Sequence, residues 1–353
     1  MKAQSCELWV DQSDSFLEEG QTVSNDGVYG QQTEQPDVTG KRVYDSIVDL
    51  IANPDNPTPM VRLSRRFNPN ADLDLYIKLE SYNPFGSIKD RAALYLLKGT
   101  PLASGQVLVE PSAGNTGIAL AALANAQGTP IEIAVPEGTP EEKKTLLRLL
   151  GAELLEIEDE LCPLFPSEGA RGVVKSMVES AAYNNKYVSP NQYENELNVE
   201  AHYRTTGPEI WNQTHGEIDY FFAGFGTCGT ITGVGRYLKE RNPGIKIIGI
   251  EPSNRQHQLS GIKKISNLPE EFTPEILDRS VIDEIIEVDD RDAYQAGIQL
   301  AQTEGIMVGP TSGALLHAAR EFGQANSGKA VLIAADGATN YLSAYAQYLD
   351  GET

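Results

Sequence analysis

One lysine and four segments rich in glycine or hydroxyls carry the chemistry that this sequence offers. Lys89 lies in Asn83-Pro84-Phe85-Gly86-Ser87-Ile88-Lys89-Asp90-Arg91, a turn that breaks into the helical stretch Ala92 to Leu97. The positive end of a helix dipole lowers an ammonium pKa, and lost solvation lowers it further, which suits an imine-forming amine. Taken alone, the same residue would serve equally well as a solvated surface lysine. Ser112-Ala113-Gly114-Asn115-Thr116-Gly117 follows one apolar run and opens another, so its amides, with the Ser112 and Thr116 hydroxyls, could hold a carboxylate or phosphate, or simply cap a helix. Gly224-Phe225-Gly226-Thr227-Cys228-Gly229-Thr230 is a further loop able to cradle a phosphate, and Gly309-Pro310-Thr311-Ser312-Gly313-Ala314, after Ile306 to Val308, is the fourth segment.

These segments need elements to hold them, and the chain supplies an alternation of short apolar runs and helical stretches. Strands are expected at Leu75 to Leu79, Val107 to Glu110, Ile131 to Val135, Leu154 to Ile157, Tyr220 to Ala223, Ile247 to Glu251, Ile285 to Val288 and Val331 to Ala335. Helical sequence follows many of them, at Ile118 to Ala126, Glu141 to Leu150, Thr232 to Glu240 and Arg291 to Thr303. That order makes parallel sheets, so the fold class is α/β, and open sheets of this kind bind ligands at strand-to-helix junctions. Asn53 to Pro59, with three prolines, reads as a loop into Met60-Val61.

The 353 residues suffice for two lobes or one large domain, and 40% hydrophobic with 22% charged residues is ordinary globular composition. Fifty acids against 28 bases, a net charge of -22, exclude nucleic-acid binding driven by phosphate attraction over the whole surface. No apolar run reaches bilayer-spanning length, and the first residues lack the apolar stretch of a signal peptide, so no membrane partner and a cytoplasmic location are expected. Cys6, Cys162 and Cys228 are too scattered for a disulfide framework or zinc site. His202, His215, His257 and His317 show no metal-ligand spacing, so no metal is expected and surface or packing roles suit them, with His257 a possible exception through its loop. Residues 1–40, with eight acids and a single Lys2, read as a partly flexible acidic extension.

One alternative arises directly from spacing. Gly224, Gly226 and Gly229 match G-x-G-x-x-G between a strand and a helix, and Glu251 ends the next strand about where a ribose-binding acid would stand. That predicts an NAD-dependent oxidoreductase. Against it, the fingerprint usually opens its domain, and it leaves Lys89, the Ser112 loop and the Gly309 loop without a role.

Taken together and in this order, the four segments resemble the cysteine synthase and cystathionine β-synthase family of fold-type II pyridoxal-phosphate enzymes, from about Asp45 to Leu342. The resemblance implies two open, twisted, mostly parallel sheet domains flanked by helices. The larger, cofactor-binding domain would comprise residues 41–82 and 196–345, the smaller, mobile substrate-loop domain 83–195, and a tail 346–353. It implies that Lys89 binds pyridoxal 5'-phosphate as an imine, that Asn115 lies beside the cofactor's 3′ oxygen, that Gly226, Thr227, Cys228, Gly229 and Thr230 hold its phosphate, and that Thr311 faces its pyridine nitrogen. Ser112, Ala113, Gly114 and Thr116 would form the substrate-carboxylate loop. Gln192, before Glu200-Ala201-His202-Tyr203-Arg204-Thr205-Thr206-Gly207-Pro208-Glu209-Ile210-Trp211, would be a second carboxylate ligand, and Gly261 lies in a loop over the substrate.

The implied reaction is β-replacement: an activated serine, O-phosphoserine or O-acetylserine, loses its β substituent to give an aminoacrylate, and sulfide adds to make L-cysteine. Neutral Thr311 would leave the pyridine nitrogen unprotonated, which favours elimination and replacement over transamination. Where members using O-acetylserine have a serine and two small residues, this chain has Ala113, Lys263 and Lys264. The basic pair resembles members that use O-phosphoserine, although two solvated lysines on a mobile loop fit the sequence as well; Arg255 is a weaker candidate cation. Cys228 replaces a usual glycine, either as a tolerated small residue or as an oxidation-sensitive one. No haem segment is present, and the chain ends soon after Asp336-Gly337-Ala338-Thr339-Asn340-Tyr341, so an animal-type cystathionine β-synthase with a regulatory module is not expected. Cystathionine β-synthase-like or S-sulfocysteine synthesis, serine or threonine dehydration, and a catalytically silent cofactor binder remain alternatives, and a homodimer is expected from the family.

Overall fold

The computed structural model describes residues 43–158, 169–266, 268–269 and 272–349. The acidic extension, Cys6 and Cys162 lie outside them. Among the described residues, ten strands form two sheets. β1 (Met60–Arg62), β2 (Leu73–Leu79), β7 (Tyr220–Gly224), β8 (Lys246–Pro252), β9 (Glu284–Val288) and β10 (Gly328–Ala334) make the larger sheet, in the order β1-β2-β10-β7-β8-β9. β3 (Val107–Pro111), β4 (Ile131–Pro136), β5 (Glu153–Ile157) and β6 (Tyr187–Val188) make the smaller, in the order β5-β4-β3-β6. Every pairing is parallel except β1 with β2.

The central strands are buried on both faces, as parallel sheets covered by helices must be. In the smaller sheet Leu108, Ile133 and Val135 enter one core with Leu120 and Leu123 of the helix Asn115–Ala126. Their neighbours Val109 and Ala134 enter another with Val174 and Met177 of the helix Gly169–Glu179. The larger core gathers Leu75, Ile77, Phe221, Phe222, Ile247 and Leu332, packed by the helices Gly229–Arg241, Asp290–Glu304 and Pro310–Phe322.

All eight expected strands form, each within two or three residues of its expected ends. β1 and β6 were not expected. Ile306 to Val308, ahead of the fourth segment, is irregular, and the helix begins at Pro310, so Thr311 and Ser312 occupy its first turn. β10 is already flanked by β2 and β7, which leaves no adjacent edge for another strand. Two details depart from the expected lobes. Ile51 packs in the smaller sheet's core, and residues 346–349 complete the helix Leu342–Leu349, whose Tyr345 is buried and whose neighbour Tyr348 stacks on Tyr294 at 4.3 Å. Among the described residues, no helix is long and apolar enough to cross a membrane.

Candidate active site

Lys89 is the first residue of the helix Lys89–Lys98, and its approach is fixed by one turn and two hydrogen bonds. The turn ahead of it needs a left-handed residue, supplied by Gly86 at φ +86°. Ile88 N–H then donates to Ala335 O at 2.8 Å, just past β10, and Lys89 N–H donates to Ser87 Oγ at 3.1 Å. The side chain enters a cavity lined also by Gly226, Thr227, Cys228, Thr230, Gly261, Ile262 and Thr311, at the carboxyl ends of β7 and β10. Among the described residues its ammonium has no hydrogen-bond or ion-pair partner, and burial lowers its pKa against the opposing charge of Asp336. An amine so placed is neutral more often than a solvated lysine and is free to react.

The floor of the cavity is built by close backbone approach. A Cβ on Gly226 would lie 2.5 Å from Gly261 O, and Gly261, at φ +101°, could carry none without meeting Thr311 Oγ1 at 2.9 Å. Cys228 is buried with φ +73° immediately before the helix Gly229–Arg241. Burial pushes its thiol up to about 12, so it stays protonated and the oxidation-sensitive reading has little support. Thr230 Oγ1 lies 3.3 Å from Nε2 of buried His202, whose pKa burial lowers to about 3, so the ring is neutral; its Nδ1 is 3.0 Å from Thr206 Oγ1. Thr311 Oγ donates to Ser260 O at 2.6 Å, and the residue lines the same cavity.

Beside this cavity, Asn115 Nδ2 donates to Asp336 Oδ2 at 2.7 Å, and the Tyr341 hydroxyl donates to the same oxygen at 2.6 Å. Burial raises the Asp336 pKa against these bonds and the nearby Lys89. The remaining loop residues behave differently from expectation. Ser112 Oγ accepts from Gly117 N at 2.9 Å and Gly114 N at 3.4 Å, so it braces its own loop and takes up two of the amides expected to meet a ligand. Ala113 packs against the smaller core. The first-turn amides of Asn115 and Thr116 have no intrahelical acceptor. Thr116 Oγ1 donates to Gln192 Oε1 at 2.7 Å, which leaves Gln192 Nε2 as a donor without a partner among the described residues.

The two adjacent lysines separate. Lys264 Nζ donates to Ser253 O at 2.6 Å and pairs with Glu287 at 2.7 Å, so the expectation that it meets the donor is corrected: it fastens its loop to β9. Lys263 Nζ instead lies 4.5 Å above the ring of Tyr193, the residue after Gln192, and 3.2 Å from its hydroxyl, with no carboxylate partner among the described residues. The nicotinamide alternative loses its acid, because buried Glu251 accepts from Ile265 N at 2.8 Å, Ser266 N at 2.9 Å and the Ser266 hydroxyl. Neither of its oxygens is left for a ribose.

Asp90, beside Lys89, shows what this packing costs. It accepts from Phe85 N at 2.6 Å, yet burial lifts its pKa from 3.8 to about 7. A carboxyl raised in this way favours the fold when protonated: its contribution is complete below pH 4 and is lost as pH rises through 7. Asp90→Asn, which keeps the acceptor, is therefore expected to gain stability relative to the parent between pH 4 and 8, by at most about 4 kcal/mol. Thermal unfolding of both proteins across that range checks this; parallel curves would count against it.

A partnerless amine, a glycine floor too tight for any Cβ and a helix N-terminus beside two threonine hydroxyls fit a cofactor bearing an aldehyde and a phosphate. Comparison with known proteins agrees. The pyridoxal-phosphate dependent enzyme family matches residues 51–336. The cysteine synthase of Aquifex aeolicus is 39% identical over 314 residues, 86% of this chain and 92% of that protein. Cysteine synthase B of Escherichia coli is 38% identical over 291 residues, 81% and 92% of the two chains. The crystal structure of a cysteine synthase from Entamoeba histolytica superposes with a TM-score of 0.75 at 30% identity, covering 90% of this chain and 98% of that one. With its lysine, glycine loops and two parallel sheets, the chain belongs to the cysteine synthase family of pyridoxal-phosphate dependent enzymes.

Proposed function

We propose that this enzyme makes L-cysteine from an activated serine and sulfide, with O-phosphoserine as the donor. The observation that carries the reaction is Lys89, a partnerless amine facing the Gly226–Thr230 loop and Thr311 across one cavity. Lys89 would hold pyridoxal phosphate covalently, the Gly226–Thr230 loop its phosphate, Asn115 its ring oxygen and Thr311 its ring nitrogen. When bound, the cofactor supplies an electron sink for negative charge at the donor's Cα. Lys89 Nζ takes the Cα proton, and Gln192 Nε2 with the Asn115 and Thr116 amides orients the donor's carboxylate. Closure of residues 83–195 over the donor would exclude water. A homodimer fits the exposed Tyr82, Met307 and Leu342, each at least 60% exposed.

The preference for O-phosphoserine rests on Lys263, whose charge no carboxylate among the described residues offsets, whereas that of Lys264 is spent on Glu287. A phosphate leaving group carries charge that an acetate lacks, and a cation close to it would strengthen as the bond breaks. Lys263→Ala is expected to raise the KM for O-phosphoserine tenfold or more and that for O-acetylserine less than twofold; Lys264→Ala should alter neither selectively. Steady-state kinetics with both donors and sulfide tests this. An equal effect of Lys263→Ala on the two donors would remove the phosphate reading, and no cysteine from either donor would remove the function.

A further inference from the structure

Glu110 is a wholly buried acid on β3, two residues before Ser112, and the reaction as described makes no use of it. Its Oε2 accepts from Ser189 Oγ at 3.0 Å and Asn191 N at 3.0 Å, and its Oε1 from Gln192 N at 3.2 Å. Among the described residues no cation lies within ion-pair distance of it. Burying a carboxylate is costly: burial raises the Glu110 pKa, and only these three hydrogen bonds and the charge of Arg171, beyond ion-pair distance, oppose it, whereas the strand would be served as well by an apolar side chain, as at Val109. What the carboxylate alone provides is acceptance on both oxygens. Three donors converge on it, and a glutamine would turn an N–H₂ toward at least one of them.

The segment it holds is the turn between β6 and the helix Leu197–Ala201, bent through Asn191 at φ +51°. That turn carries Gln192, 3% exposed, whose Oε1 accepts from Thr116. From the other side buried Asn198 donates through Nδ2 to Gln192 O at 2.8 Å and to Thr227 Oγ1 at 2.9 Å. Both backbone polar groups of Gln192 are thus fixed by buried side chains, and among the described residues its Nε2 has no partner. We propose that Glu110 is a positioning residue, which fixes the backbone of Asn191 and Gln192 so that Gln192 Nε2 is aimed at the carboxylate of the amino-acid donor. This rests on the reading that Gln192 and Thr116 hold that carboxylate.

Glu110→Gln, Gln192→Ala and the double variant, compared as holoenzymes, separate the two ideas. Glu110→Gln is expected to keep its visible cofactor band, to change kcat at saturating donor less than threefold, and to raise the donor KM about tenfold, as for one lost charge-assisted hydrogen bond. The sulfide KM should not move. If Glu110 acts through Gln192, the double variant's donor KM matches that of Gln192→Ala alone; multiplied effects would overturn the inference. An unchanged donor KM in Gln192→Ala sinks the carboxylate reading itself, whatever Glu110 does. Should Glu110→Gln fail to fold, Ser189→Ala decides, since Ser189 donates to Glu110 and accepts from Asn191 N at 3.2 Å. A donor KM raised about threefold supports the inference, and an unchanged one overturns it.

Discussion

Lys89→Ala is expected to lose the visible absorption of the holoenzyme and at least about a thousandfold in turnover, while the protein stays folded. The scale follows from the two roles one amine would fill. It would bind the cofactor covalently and move the Cα proton, and positioned proton transfer alone contributes about a hundredfold to ten-thousandfold. Among the described residues no other amine lines the cavity to substitute for it. Arginine cannot either, since a guanidinium stays protonated and forms no imine, so Lys89→Arg should be as inactive as the alanine variant. The folded state gives an internal control. Lys89 has no hydrogen-bond or ion-pair partner for its ammonium among the described residues, and burial disfavours its charged form. Removing it relieves a desolvation cost, and the cofactor-free variant should unfold at or above the temperature of the cofactor-free parent. Spectra, cysteine formation and thermal unfolding of the three proteins check this. More than 1% residual turnover in Lys89→Ala would assign the proton transfer to another group, for which Asp336, bonded to Asn115 and acting on the Lys89 charge, is a candidate.

Much of this site is legible in the sequence because glycine and lysine leave strong local signals. Gly226 and Gly261 are required where two backbones meet, and a glycine-rich turn between an apolar strand and a helix announces such a meeting. What is not legible is pairing across the chain. Lys263 and Lys264 are adjacent and alike in sequence; only the fold places Glu287 of β9 beside one and Tyr193 beside the other. Asp336 lies past the end of an apolar strand, and its partner Asn115 is 221 residues away. Ser112 looks like a ligand group, but the amides of Gly114 and Gly117 claim its oxygen. β6 has two residues, paired only with Val107 and Leu108, and β1 has three; neither is long enough to show a period. His202 reads as an ordinary packing residue because Thr230, the group it reaches, comes 28 positions later.

The same blindness hides the strongest structural contact, and Arg91→Met is expected to lower stability by about 3–5 kcal/mol. Arg91 is fully buried two residues after Lys89. Its Nε donates to Glu80 Oε2 at 2.7 Å, its Nη2 to Glu80 Oε1 at 3.0 Å and to Glu209 Oε2 at 2.8 Å, and its Nη1 to Glu209 Oε1. Glu80, Glu209 and Lys78 are also wholly buried, with Lys78 Nζ 2.8 Å from Glu209. Without the guanidinium, two buried carboxylates would face one lysine, whose own pKa burial already lowers. An uncompensated buried charge is the costly outcome, whereas replacing the whole cluster by apolar residues of equal volume is often neutral. Arg91→Lys should fall between the parent and Arg91→Met, because one ammonium cannot serve both carboxylates in the forked geometry. Stability is coupled here to the site. Glu80 Oε2 also accepts from Asn83 Nδ2 at 2.9 Å, and Asn83 Oδ1 accepts from Ala52 N at 3.1 Å, so the network grips both ends of the Asn83–Arg91 turn that presents Lys89. Arg91→Met should therefore bind cofactor more weakly at temperatures where it is still folded, as a visible titration with pyridoxal phosphate would read. A loss under 1 kcal/mol in urea unfolding, with cofactor affinity unchanged, would show that the cluster neither stabilises the fold nor holds the lysine in place.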